Sequence, residues 1–346
     1  MNKNNWDNLS KWLKLKNFKL QLDPHPNKFT NGMGNLNFKI FLNNKAYVLR
    51  RPPLGPIPPG ANDMKREHLV MSALNKKLSL VPNSIMFCEN ENIFGAPFHI
   101  MDYKDGFTIN GNTIPKKWNT KKNAKDISKM LITTLVKIHK IEPTQIGLGN
   151  LGKPEGFLER QLEGWYKRGL LAHQEKNLKT MKKLYETLKN YPRPKELNPV
   201  ILHNDFKLDN IILKNTNNTI MPEAIIDWDQ ATRGHPLYDL ATLLSYWTIK
   251  EDPPKMKLLK QMPSERNGFI SRMEAIELYS EMSGRSIEQF NWIYSLSLLK
   301  LGVVFQQLYA QYLRGTVKDK KYKIFGDVAD ASYEKGLNII KNTTIY

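Results

Sequence analysis

Apolar positions follow two regimes along the chain. Up to about residue 103 they alternate or form short runs bounded by glycine, proline and asparagine; beyond Gly106 they recur at three- and four-residue spacing over long stretches. Trp6, Leu9, Trp12, Leu13 and Leu15 have helical spacing, and Asp7 is a plausible cap, which predicts a leading amphipathic helix over 6–18. A glycine turn over 29–36 leads into an alternating strand over 37–42. Asn43-Asn44 then turns the chain into a returning strand over 45–50, so the segment reads as a hairpin with a glycine-rich mouth. Prolines 52, 53, 56, 58 and 59 exclude helix and central strand, leaving an extended surface connection. Asp63 then caps a predicted helix with Glu67, Leu69, Val70, Ala73 and Leu74 on one stripe, followed by strands over 84–89 and 97–103.

Helical periodicity dominates thereafter, over 125–140, 155–190, 271–282 and 287–312. The exception is 200–227, where three short apolar pieces alternate with polar loops. The pattern predicts an α+β architecture: a small, mostly antiparallel sheet lobe with one internal helix over 1–103, and a larger, mainly helical lobe over 104–346.

Composition narrows the function less than it first suggests. The formal charge of +19 over 346 residues admits nucleic acid, membrane surface or a phosphate-rich ligand as partner. Yet the charge is spread along the chain, with neither a basic tail nor an aromatic-interleaved basic strip, so no specific nucleic-acid partner is expected. The lone cysteine, Cys88, has no partner for an internal disulfide, and no apolar run approaches the roughly 18 residues of a spanning helix. The expectation is a soluble cytoplasmic protein with no membrane partner. Oligomeric state is left open.

The candidate chemistry lies in His203-Asn204-Asp205-Phe206-Lys207-Leu208-Asp209-Asn210 and in Ile225-Ile226-Asp227-Trp228-Asp229. Phosphoryl transfer needs metal ions on the phosphates, a positioned carboxylate for the acceptor hydroxyl, and cations on the phosphate oxygens. Asp205 on a loop can serve as that base. Asn210, five residues on, and Asp227, after a buried strand, would be brought together by a hairpin as hard oxygen ligands for Mg²⁺.

These segments, with Gly234-His235-Pro236-Leu237-Tyr238-Asp239-Leu240-Ala241 downstream, resemble the aminoglycoside phosphotransferase and choline kinase superfamily, whose fold is protein-kinase-like and bilobal. The resemblance implies an ATP- and Mg²⁺-dependent transfer to a hydroxylated small molecule. It makes Asp205 the base, His203 and Asp239 braces of the catalytic loop, and Asn210 and Asp227 the metal ligands. Asn31 to Asn35, including Gly32, Met33 and Gly34, resembles the loop over the ATP phosphates. Arg50 stands in the place of the phosphate-gripping lysine, Glu67 in that of its helix partner, and backbone near Asp102 and Tyr103 in that of the adenine hinge. Within the superfamily, Val48-Leu49-Arg50-Arg51-Pro52-Pro53, Arg66-Glu67 and Phe157-Leu158-Glu159-Arg160-Gln161 look like the phosphotransferase domain associated with acyl-CoA dehydrogenases, which implies a hydroxyacyl-CoA thioester as acceptor.

Asn204 replaces the superfamily's glycine, Arg50 its lysine, and His235 the aspartate of its Gly-Asp-Pro motif. Asparagine tolerates left-handed backbone, and arginine keeps the charge with a forked geometry. The His235 exchange has no explanation in sequence terms. An aminoglycoside- or choline-like acceptor, or a nucleotide-binding pseudokinase, are the alternative readings. Trp165, Tyr166 and Arg168 are candidates to face the acceptor.

Overall fold

The computed structural model of the protein describes residues 3–29, 34–53, 55, 62–172 and 178–342. Its small lobe is an antiparallel sheet in the order β1-β3-β4-β6-β5, with β2 also paired to β3. The strands are β1 (Leu20–Gln21), β2 (Asn27–Lys28), β3 (Leu36–Leu42), β4 (Lys45–Arg51), β5 (Ser84–Cys88) and β6 (Phe98–Asp102). The expected hairpin forms between β3 and β4, turned by Asn43 and Asn44, both in the left-handed region that asparagine tolerates.

Helix α1 (Lys3–Lys14) lays Trp6, Leu9 and Leu13 into a small core with Phe38, Ile40, Leu49, Phe98 and Ile100. Two details differ from expectation. The helix starts before Asp7, so Asp7 is not its cap, and Leu15 lies past its end at 86% exposure. The short helix α3 (Glu91–Phe94) packs beside α1. Helix α2 (Met64–Leu74) is capped by Asp63, whose carboxylate accepts the Arg66 amide at 3.0 Å. It buries Glu67, Val70, Met71 and Leu74, whereas Leu69 faces solvent, off the buried stripe. Part of the proline-rich connection, at 54 and 56–61, lies outside the described residues.

The larger lobe is built on helices α4 (Lys121–His139), α5 (Phe157–Ala172), α6 (Leu178–Asn190), α7 (Leu237–Ser245), α8 (Pro254–Lys257), α9 (Arg272–Ser283), α10 (Phe290–Leu313) and α11 (Phe325–Asn342). The periodicity over 155–190 thus resolves into two helices, α5 and α6. Helix α10 is the axis, packed against α5, α7 and α11. Two small pairs position the loops: β7 (Val200–Leu202) with β10 (Thr232–Gly234), and β8 (Ile211–Thr216) with β9 (Thr219–Ile225). No helix among the described residues is long and apolar enough to cross a membrane.

Gly302 lets α10 and α11 approach closely: a Cβ there would stand 2.2 Å from a ring carbon of buried Tyr333. Helix propensity alone would make Gly302→Ala stabilising by about 1 kcal/mol. Overpacking costs roughly 1–3 kcal/mol and opposes it. We expect the variant to lose stability by up to about 2 kcal/mol, read as a lower urea midpoint at unchanged m-value.

Candidate active site

The strand register delivers the first half of the site. Arg50 on β4 stands opposite Asn37 on β3 and His99 on β6. Its guanidinium donates to Glu67 Oε2 at 2.8 Å and to Asn37 Oδ1 at 3.3 Å, and pairs with an Asp227 oxygen. The expected Arg50–Glu67 pair is therefore present, with Asp227 as an additional partner. Glu67 is fully buried and also accepts from His99 Nε2 at 3.3 Å and from the Trp228 amide at 3.1 Å. Burial works to raise its carboxyl, but Arg50 and His99 outweigh burial and hold it at about 2.

The second half is the loop after β7. Buried Asp239 on α7 accepts two consecutive amides, His203 at 2.7 Å and Asn204 at 2.8 Å. His203 donates from Nε2 to the Ile226 carbonyl at 2.9 Å, which leaves Nδ1 to accept the Asp205 amide at 3.4 Å. Asn210 donates from its side chain to the Asp205 carbonyl at 2.8 Å and carboxylate at 3.2 Å. The β8–β9 pairing sets Ile211 opposite Ile225, and the Ile226 amide donates to the Asn210 carbonyl at 3.0 Å. The hairpin thus brings Asn210 and Asp227 to one end, as their spacing suggests. Lys207 lies 3.0 Å from the Asp205 carboxylate. Burial disfavours its charge, but Asp205 keeps the ammonium well above its ordinary range.

A cleft of about 460 Å³ separates the lobes, lined by Val48, Arg50, Asp102, Tyr103, Ile212 and Asp227 among others. Arg50, Asp102, Tyr103 and Asp227 therefore share one cavity. Asn35 is tied to the rim, donating to Asp229 at 3.2 Å. Burial, then the neighbouring Asp227 and Glu67, push Asp229 up to about 7. Gly34 lies within the described residues, whereas Asn31, Gly32 and Met33 do not. A second pocket, about 330 Å³, opens beside the 203–210 loop; Trp165 and Arg168 line it, but Tyr166 stacks on Tyr185 at 3.7 Å instead. Sequence pattern did not single out Asn37, His99 or Lys300, which contact the site from other elements. Lys207 stands inside the quoted loop and could have been found by its spacing from Asp205.

A model of the phosphotransferase enzyme family matches residues 27–264. The chain belongs to that family. It is 30% identical to acyl-CoA dehydrogenase family member 11 of Gallus gallus over 322 residues, 91% of this chain but 40% of that protein. The chain thus spans about two fifths of the length of that relative. Among solved structures, it is similar to a provisionally named aminoglycoside phosphotransferase from Ralstonia eutropha (TM-score 0.79, 25% identity, 97% and 98% of the two chains). The fold is shared with an aminoglycoside phosphotransferase solved with AMP-PNP and hygromycin B (TM-score 0.59, 15% identity, 97% and 99% of the two chains).

For this phosphotransferase-family chain, two departures acquire physical reasons. Asn204 takes a left-handed φ of 66°, and its side chain donates to the Gln230 carbonyl at 2.8 Å. His235 is buried; its Nδ1 accepts the Leu237 amide at 3.3 Å in the first turn of α7, and its Nε2 donates to the Lys195 carbonyl at 3.3 Å. Both ring nitrogens are used by the neutral imidazole, and burial lowers its pKa to about 4.

A depressed histidine pKa adds stability above its unfolded value, near 6.5, which is lost as pH falls towards 4. The wild type should therefore lose up to about 3 kcal/mol more than His235→Gln between pH 7 and pH 4. Urea midpoints of both proteins across that range check this; parallel pH profiles would refute it.

Proposed function

We propose that this protein is an ATP- and Mg²⁺-dependent phosphotransferase acting on a hydroxyl of a small molecule, a hydroxyacyl thioester of coenzyme A. The observation that carries this reading is the convergence of Asp205, bonded by the Asn210 amide, and the Asn210 end of the hairpin on Asp227, which lines the inter-lobe cleft together with its ion-pair partner Arg50. In this reading the cleft takes the nucleotide, with the backbone near Asp102 and Tyr103 facing adenine and Arg50 facing phosphate.

The residues fit a magnesium ion. Asn210 commits its N–H groups to Asp205, and its side-chain oxygen has no donor among the described residues. With Asp227 it offers two hard donors, a partial set of the kind Mg²⁺ takes when phosphate and water complete the shell. Asp227, Asp229 and Glu67 also crowd negative charge there, which a cation relieves. Bound there, Mg²⁺ neutralises charge on the phosphate oxygens.

The chain's own residues supply the rest. Asp205, oriented by the Asn210 amide and the Lys207 ammonium, accepts the acceptor's hydroxyl proton. The acceptor oxygen bonds to the γ-phosphorus as the bond to the β–γ bridging oxygen breaks, releasing ADP. Asp239 and His203 hold the loop so that Asp205 is pre-aimed. The thioester acceptor is favoured by the acyl-CoA dehydrogenase name of the 30%-identical relative.

With ATP and Mg²⁺, a panel of hydroxyacyl-CoAs should include one that gains a phosphoryl group by mass spectrometry, and chelation should abolish the gain. Asp205→Asn should lower kcat by roughly 10²–10⁴-fold while leaving the affinity for a non-hydrolysable ATP analogue unchanged. An unaltered kcat would remove Asp205 from the role of base.

A further inference from the structure

Resting on the phosphotransferase reading, we propose that the pocket beside the catalytic loop is an oxyanion-binding acceptor site, in which Arg168 and Lys300 hold a carboxylate or phosphate of the molecule being phosphorylated. The pocket is lined by the cations Arg66, Lys153, Arg160, Arg168 and Lys300, and by no carboxylate. Asn204, the neighbour of Asp205, forms part of its wall. A ligand seated there lies against the loop that carries the proposed base.

The five cations are not equivalent. Arg66 is engaged by Asp63 at 3.2 Å and by the Asp229 carbonyl at 3.2 Å. Arg160 donates to the carbonyls of Lys153 and Glu155, which fixes it as part of the wall. Arg168 rests its guanidinium over the Trp165 ring at 4.6 Å, a contact that leaves its N–H fork available. Lys300 reaches in from α10 with only 7% of its surface exposed. Its ammonium donates to the Asn204 carbonyl at 2.5 Å and lies 5.2 Å from the Tyr238 ring. Among the described residues, no carboxylate stands within ion-pair distance of Arg168 or Lys300.

That arrangement leaves both cations with donors to spare for an anion. Burial lowers the Lys300 pKa to about 8 against the more distant Asp205 and Asp239, which favour the charged form, so the ammonium has nearby negative charge but no carboxylate in direct contact. A neutral glutamine could donate to the Asn204 carbonyl as well, so bracing the loop does not by itself call for a cation. An incoming oxyanion would restore the missing partner and meet the Arg168 fork. Polycationic acceptors are disfavoured by the same charges.

The oxyanion has two possible sources, the carboxylate of a hydroxy acid or the phosphates of coenzyme A. The experiment uses the full chain with its nucleotide cleft saturated by a non-hydrolysable ATP analogue and Mg²⁺, because the adenine nucleotide of coenzyme A could otherwise enter that cleft. Calorimetric titrations with coenzyme A, with pantetheine, with a short hydroxycarboxylate and with its neutral amide separate the sources. We expect at least one anionic probe to bind at least tenfold tighter than its neutral counterpart, with an affinity that falls as salt rises. Preference for coenzyme A over pantetheine assigns the phosphates, and preference for the hydroxycarboxylate over its amide assigns the carboxylate.

Arg168→Gln, an exposed position, and Lys300→Gln, which keeps a donor for Asn204, should each weaken that anion at least tenfold and leave the neutral probe unchanged. Arg168→Gln keeps the test decisive if the buried Lys300 variant fails to fold. Equal binding of anionic and neutral probes, no binding of either anion, or full anion affinity in Arg168→Gln would overturn the proposal. Failure of the phosphotransferase reading shows separately, as absence of phosphoryl transfer with these binding preferences intact.

Discussion

A single carboxylate ties the two lobes together. Glu67 has no exposed surface, and its two oxygens accept from Arg50 on β4, from His99 on β6 and from the Trp228 amide of the larger lobe. An isolated carboxylate in such an interior would be prohibitively desolvated, so its burial requires all three donors at once. The sheet register, the placement of α2 and the approach of the 226–228 segment are therefore one condition, not three. Removing one donor from a buried charge of this kind costs on the order of 3–5 kcal/mol. The lobes meet where that cost is avoided.

A second buried carboxylate works from behind. Asp239 takes the amides of His203 and Asn204, and the His203 ring passes the constraint on to the Ile226 carbonyl. The next residue, Asp227, has a φ of 70°, in the left-handed region that residues other than glycine seldom adopt and that aspartate tolerates better than most. It is bracketed by two fixed groups: the Ile226 carbonyl held by His203, and the Trp228 amide held by Glu67. Such strained backbone persists only where its surroundings over-determine it, and here both carboxylate nodes do so. Asp227 is aimed by the two networks jointly.

What could be read from the chain followed the range of the interaction. The β3–β4 hairpin was legible because alternation and the Asn43-Asn44 turn are local. The two-residue strands β1 and β2 are too short to carry a period, and α11 hides its periodicity behind Gly326, Ala329, Ala331, Ser332 and Gly336. The trio of Asp205, Asn210 and Asp227 was visible because one loop and one hairpin place it. Lys300 was not, since it meets the Asn204 carbonyl across 96 positions. Tyr166 shows the opposite failure. It adjoins Trp165 in sequence, but one residue turns a helix by about 100°, which sends Tyr166 to Tyr185 while Trp165 and Arg168 share the pocket face.

The same distinction explains why a net charge of +19 says little while its placement says much. Lysines in water, such as Lys65 and Lys122 with their neighbouring acids, are hydrated whether or not they are paired. Their number is constrained weakly. In the interior the account changes, as Asp252 illustrates: it is buried together with Arg272 and Lys335, and each cation there meets carboxylate oxygen. Lys300 is buried to a similar degree and meets only a carbonyl and aromatic faces. The fold shows how it neutralises buried cations with its own acids when stability is the requirement. Beside the 203–210 loop, Lys300 has only the more distant charges of Asp205 and Asp239, and the position of a contacting counter-charge is the one the proposed oxyanion would fill.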